Sequence, residues 1–331
     1  MTAAPLVLAE PVRGWVGAQV RRMLVGEEAP APVRKEPRTD QGLFGPDSVT
    51  WQIHSSLSML IGGLRALMLQ TLHPLAMAGV ADHSDYRRDP WGRFHRTAAY
   101  IGTTTYGTTA EAEAIIAAVR RIHERITGTT PEGVPYQASD PHLLAWVHLT
   151  EVDSFLRAYR RNGDHKLSRS DADRYVSEMR AVGWRIGVQD PPDSLRSLRM
   201  QLQAMRPEMH ATPQARETVR FLLAPPAPLA ARPGYLVVAA GAVSLLPGFV
   251  RRELRLPVFP GVEPILVRPA TKTLLEVLGW AIGPGTPPRA ERSRKMEASR
   301  TDRARPSGRP PAPTRSGQNG AVPTHPRGEQ R

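Results

Sequence analysis

From Val49 onward, apolar residues recur at the three-and-four spacing of an amphipathic helix rather than in strand-like alternation. Between Trp51 and Leu72, the residues Leu57, Leu60, Ile61, Leu64, Leu67 and Met68 share one face, which predicts a single helix over that run. Pro74 follows closely. It lacks an N–H and crowds the preceding turn, so a stop or kink is expected there. The stretch from His73 to Asp89 then reads as a turn-rich connection.

Helix starts are marked clearly further on. Asp89 and Pro90 form an N-cap and first-turn proline, opening a helix to about Thr105. Thr108 and Glu111 have the spacing of a capping box, so the next helix runs from there to near Gly128. Asp140 and Pro141 repeat the Asp-Pro opening, with the helix continuing to about Asn162. Ser168 or Ser170 caps a helix through Gly183. Further helices are expected near 193–205, 213–223 (opened by Thr212 and Pro213), 234–246 and 269–282. Strand signals are nearly absent: Pro257 to Val267 is the one β-like run, and its prolines demote it. With no internal repeat and no heptad seam, the reading is an all-α chain with one helical domain over 46–284. A segment 1–45, with an amphipathic stretch Trp15 to Val25 and a Pro-rich linker Ala29 to Pro37, and a tail 285–331 are expected to be disordered.

Composition narrows the chemistry. The net charge is +13, but the tail 285–331 carries eleven Arg or Lys against four Asp or Glu, leaving the rest at +6. A Pro/Gly/Arg-rich tail without aromatics reads as a solvated segment, not as a nucleic-acid interface built on a folded element. There is no cysteine, which excludes disulfides, Fe–S clusters, thiolate-ligated haem, covalent c-type haem attachment and cysteine nucleophiles. Ten histidines remain as ligands. Residues 1–15 lack the pattern of a signal peptide, and the most apolar run, Leu236 to Leu246, is too short to span a bilayer. Leu57 to Leu72 is interrupted by Arg65 and Gln70. A cytoplasmic protein is expected, with room for peripheral membrane contact.

Three places concentrate candidate chemistry. On the helix 109–127, Ala112, Ile115, Ile116, Val119, Ile122 and Ile126 make the apolar stripe. His123 falls within it, while Glu113, Arg120, Arg121, Glu124 and Arg125 face solvent. An imidazole so placed is either a satisfied core histidine or an iron ligand. On the helix 90–105, Arg93, Thr97, Tyr100 and Thr104 share a face with Arg96 at its edge. That is either the ordinary polar side of a helix or a set of donors for a haem propionate and for dioxygen. The connection 73–89 gathers His73, Asp82, His83 and Asp85, from which a non-haem metal site can be drawn. His148, beside Leu144, Val152 and Phe155, is expected to face inward in a structural or cofactor-edge role. There is no nucleophile-elbow Gly-x-Ser-x-Gly, phosphate-binding lysine loop, His-Glu-x-x-His or Gly-x-Gly-x-x-Gly.

Several of these residues recur together in a known pattern. Leu72 to Pro74, Gly79 to Ser84, Arg87 to Pro90 and Gly92 with Arg93 resemble a domain shared by two groups of oxygenases. One group is the bacterial latex-clearing proteins. The other is the fungal oxygenase that cleaves the farnesyl chain in mycophenolic acid biosynthesis. Val119 to His123, Trp146 to His148, Asp153 to Phe155, and Tyr175 and Val176 with Met179 continue the resemblance, over roughly 48–283.

The resemblance implies a helical, globin-like core, a non-covalent haem b and dioxygen-dependent cleavage of an isoprenoid double bond. His123 matches the family's proximal histidine, and Arg93 and Thr97 match its distal pair. Where some latex-clearing proteins carry a lysine as second axial ligand, this chain has Arg96, which stays protonated and cannot ligate iron. The sixth position is therefore expected to be open or taken by water. For the family's acidic base, only Asp82 and Asp85 lie near. The expectation is a haem b-dependent oxygenase acting with dioxygen on a small lipophilic, isoprenoid-type alkene. Catalysis falls to Arg93 and Thr97, cofactor binding to Arg93, Arg96, Thr97, His123 and His148, and metal ligation to His123. A non-catalytic haem or lipophile carrier, or a helical interaction protein without cofactor, are the alternatives.

Overall fold

The structure, a computed structural model, describes residues 39–257 and 261–282. Among them the chain is helical throughout except for one small hairpin. The helices are α1 (Val49–His54), α2 (Met59–Gln70), α3 (Pro74–His83), α4 (Pro90–Tyr106) and α5 (Thr109–Arg125). Strands β1 (Thr127–Thr129) and β2 (Pro135–Gln137) follow. The chain continues with α6 (Pro141–Asn162), α7 (Arg169–Ile186), α8 (Leu195–Ala204), α9 (Pro213–Leu223), α10 (Arg232–Ser244), α11 (Gly248–Glu253) and α12 (Arg268–Ile282). The stretch 15–25, the linker 29–37 and the tail 285–331 lie outside the described residues. No helix among the described residues is long and apolar enough to cross a membrane.

The cap signals place the helix starts as expected. The Asp89 side chain accepts from Gly92 N at 2.9 Å, and Asp140 accepts from His142 N at 2.8 Å. Thr108 and Glu111 close a reciprocal capping box. Ser168, not Ser170, caps α7, which runs one turn beyond Gly183 to stop at Gly187, whose φ of +115° is a left-handed glycine stop.

Three expectations are corrected. The run 51–72 is two helices, because Ser55 Oγ donates to Gln52 O and Ser56 Oγ accepts from Ser58 N, and these local bonds compete with the helical ladder. The stop expected at Pro74 is present, since α2 ends at Gln70, but Pro74 itself starts α3, where its fixed φ suits the first turn, so most of the expected connection 73–89 is helical. The hairpin Thr127↔Gln137 was not anticipated, since three-residue strands are too short for a periodicity signal. Gly128 makes it feasible, as a Cβ there would sit 2.4 Å from Tyr136 Oη. The demoted β-like run 257–267 indeed holds no strand among its described residues, where Glu263–Val267 forms a helical turn leading into α12.

The core is built on α2 packed along α6. Gly62 permits the approach, since a Cβ there would lie 3.0 Å from the Phe155 ring and 3.2 Å from Ala158 Cβ. Arg65, fully buried, spans the interface to Asp153 (2.9 Å), Ser154 Oγ (2.6 Å) and Leu245 O (3.0 Å). A smaller cluster of Ile116, Leu144, Ile186 and Val188 joins α5 to α6 and α7. The α5 stripe is narrower than the apolar pattern suggests: Ala112 and Ile116 are buried and Val119 half-buried, whereas Ile122 is 54% exposed.

Candidate functional site

Helices α4 and α5 form a helical hairpin turning at Gly107 and Thr108, with its open end beside the C-terminal half of α3. Arg93 lies fourteen residues before Gly107 and His123 fifteen after Thr108, so both sit at that open end. Helix α3 and the residue after it reach the chain at that open end. Ser84 Oγ, just past α3, accepts from the Arg93 guanidinium. His83 Nε2 donates to Thr127 O at 3.0 Å, and Gly79 approaches Ile126, three residues beyond His123.

His123 is half-buried, and its Nδ1 is buried without a hydrogen-bond partner among the described residues. Burial holds its pKa below the ordinary histidine value, so the ring is neutral and has a lone pair to offer. Arg93 is also half-buried. Desolvation lowers its pKa, opposed by Tyr86 and assisted by Arg96, yet a guanidinium stays cationic at neutral pH. Thr97, one turn on, is exposed, and its hydroxyl donates to Arg93 O at 3.1 Å. Arg96 is exposed and pairs with Asp89 at 3.3 Å. Tyr100 and Thr104 turn toward the interior, with Thr104 buried and donating to Tyr100 O.

His148 faces inward, as expected. It is buried against Gly183, its Nε2 has no partner among the described residues, and burial alone lowers its pKa to about 4. It shares a face of α6 with Leu144, Glu151 and Phe155.

Glu151 belongs to a polar group that the sequence reading did not single out. Burial raises its pKa to about 7, and its charge in turn raises the hydroxyl pKa values of Tyr100 and Tyr175, second to burial itself. His54 joins this group. Its Nδ1 is hydrogen-bonded to Thr105 Oγ1 (2.7 Å), its Nε2 to Tyr175 Oη (3.1 Å), and burial depresses its pKa to about 3. The signal for Glu151 was available, as a carboxylate on an otherwise apolar helix face. His54 gave none, because its partners come from 51 and 121 residues away.

The metal site drawn from His73, Asp82, His83 and Asp85 does not form. Asp82 accepts from Tyr136 Oη at 2.6 Å, His83 bonds Thr127 O, and Asp85 faces Arg88. Their positions along α3 and its exit turn them to different neighbours. His73 instead meets His142 and Glu208.

Two features bear on a haem. A half-buried, neutral imidazole whose buried Nδ1 has no partner suits iron ligation, and a chain with no cysteine can hold haem neither by thioether links nor by a thiolate. The residues present therefore fit such a group. The model of the family described as "ER-bound oxygenase mpaB/B'/Rubber oxygenase, catalytic domain" matches residues 51–305, a span that includes every candidate site residue named above. Neither a curated protein nor a solved structure matches the chain.

Proposed function

The chain belongs to the mpaB and rubber oxygenase catalytic-domain family and is an oxygenase, and from that premise we propose that it uses a non-covalent haem b with dioxygen on a small lipophilic alkene of isoprenoid type. The buried, partnerless Nδ1 side of His123 carries the proposal. His123 would hold the haem iron, its ring kept neutral by burial. When bound, the haem supplies the oxygen chemistry, which no side chain of this composition can perform.

The chain's own groups orient and neutralise. Arg93 holds a fixed positive charge at the open end of the α4–α5 hairpin, anchored on Ser84. It stabilises negative charge developing beside it. Thr97, one turn away, has a hydroxyl that rotates from Arg93 O to donate outward. Arg96, at the rim beside Asp89, offers a second cation to a propionate. His148, its ring kept neutral by burial, would line the cofactor's edge without protonating it. Glu151, with a pKa of about 7, takes up or releases a proton at its carboxylate near neutral pH, which suits a base close to an apolar substrate.

The test is an absorption spectrum of protein produced with added haem. A Soret band is expected in the parent and lost in His123→Ala, with oxygen uptake on adding an isoprenoid alkene. His123→Ala protein that keeps its full haem content overturns the ligand assignment. Haem binding without oxygen uptake on any lipophilic alkene points to a haem carrier instead.

A further inference from the structure

We infer that His73, His142 and Glu208 form a site for one first-row divalent cation, zinc foremost, distinct from the proposed haem position and independent of it. One donor atom from each residue lies within 4.8 Å of the other two. His73 Nε2 and His142 Nε2 both face the same oxygen, Glu208 Oε2, at 3.3 and 2.8 Å.

The three donors come from separate elements, and each is held in place. His73 is the extended residue before Pro74, and its backbone oxygen accepts from Met77 N at 2.9 Å. His142 lies in the first turn of α6, its N–H fixed by Asp140. Glu208 lies in the turn Arg206–Glu208, and two residues on His210 N donates to Leu72 O at 3.0 Å, tying that segment to the start of α3.

A small shift brings the measured spacing to that of a bound cation. Tetrahedral zinc with bonds of about 2.0–2.1 Å separates its ligand atoms by about 3.3–3.4 Å. The His73 to Glu208 edge already measures 3.3 Å. The His142 to Glu208 edge must open by about half an ångström to reach the tetrahedral spacing. The side chains that must move are the free ones, at 49% and 44% exposure, while His73, at 4%, stays fixed.

Coordination through His73 Nε2 leaves the ring proton on Nδ1, which is buried without a partner among the described residues. Two imidazoles and a carboxylate suit zinc and its first-row neighbours over magnesium or calcium. The fourth position opens on the exposed side, where water can fill it.

The experiment uses the full chain, stripped with chelator and then titrated with Zn²⁺ and separately with Co²⁺. One tightly held equivalent by elemental analysis after gel filtration is expected, with the visible bands of tetrahedral Co²⁺ and a Tm raised by Zn²⁺. Glu208→Gln and His142→Gln, both at exposed positions and so expected to fold, should lose the equivalent, the bands and the Tm rise. Any Soret band should be unchanged in both, which separates this site from the haem reading. Parent protein that retains no Zn²⁺, or variants that retain as much as the parent, overturn the proposal.

Discussion

Replacing Arg65 by Met tests whether the α2–α6 interface depends on a buried ion pair, because this guanidinium sits in an otherwise apolar helix face. Its side chain is 1% exposed and donates to Asp153, Ser154 Oγ and Leu245 O. Burial pulls its pKa down while Asp153 pulls it back up, so the pair is an exchange of desolvation against attraction. Met matches the length of the stem but leaves Asp153, itself only 10% exposed, without its buried partner. It also leaves two acceptors unpaired. Breaking a buried pair on one side costs about 3–5 kcal/mol. Arg157 still reaches Asp153 at 2.8 Å from the half-exposed side, which places the cost near about 3 kcal/mol. For a domain of this size that lowers Tm by about 6–12 °C. Removing both charges, as Arg65→Met with Asp153→Leu, should recover most of the loss, since a well-packed apolar replacement of a buried pair is often neutral. Thermal and urea unfolding of the two single variants and the double variant close the cycle. A single variant within about 1 kcal/mol of the parent, or a double variant costing the sum of the singles, would refute the reasoning.

Two further predictions concern pH. His54 and His148 have pKa values lowered to about 3 and about 4, so each contributes stability above the ordinary value of 6.5 that is lost as pH falls toward those values. The urea midpoint should drop steeply between pH 6.5 and 4, and His148→Gln should flatten that drop; an unchanged slope would contradict the burial argument. Glu151 has the opposite sign. Its pKa is raised to about 7, so its contribution is present below the ordinary 4.5 and lost as pH rises through about 7. Glu151→Gln should gain about 1–3 kcal/mol at pH 8 relative to pH 5, and a gain independent of pH would show that the carboxylate is solvated.

What could be read from the chain follows from the range of each interaction. Helix starts were legible because the cap and the proline lie within four residues of what they organise, as at Asp89 and Asp140. His123 and the inward His148 were legible because helical periodicity alone aims them. The break at Ser55–Ser58 was not, since apolar spacing continues through it while serine hydroxyls bond locally. Ile122 was misplaced because α5 packs a narrow stripe, and a helix near its end exposes apolar residues that periodicity counts as buried. The His54 pair with Tyr175 and the His73, His142 and Glu208 cluster join residues 66 to 135 apart, and no local pattern encodes such meetings.

The two candidate sites meet the same helix at opposite ends, and this bears on how each arose from the sequence. A residue before proline is forced out of the helical region, so its side chain projects away from the helix that follows. His73 adopts φ −89° and ψ 112° for this reason, which lets it reach Glu208 while α3 proceeds from Pro74. The same dipeptide that reads as a helix stop is thus what presents the ligand. At its other end α3 gives way to Ser84, which anchors Arg93, and His83, which fixes the chain just after His123. Ten helical residues at about 1.5 Å each set the two ends about 15 Å apart. That separation is too great for a shared ion or direct ligand competition. Loss of zinc in Glu208→Gln and loss of haem in His123→Ala should therefore occur one without the other, because each removes a donor at one end of a helix the other leaves intact.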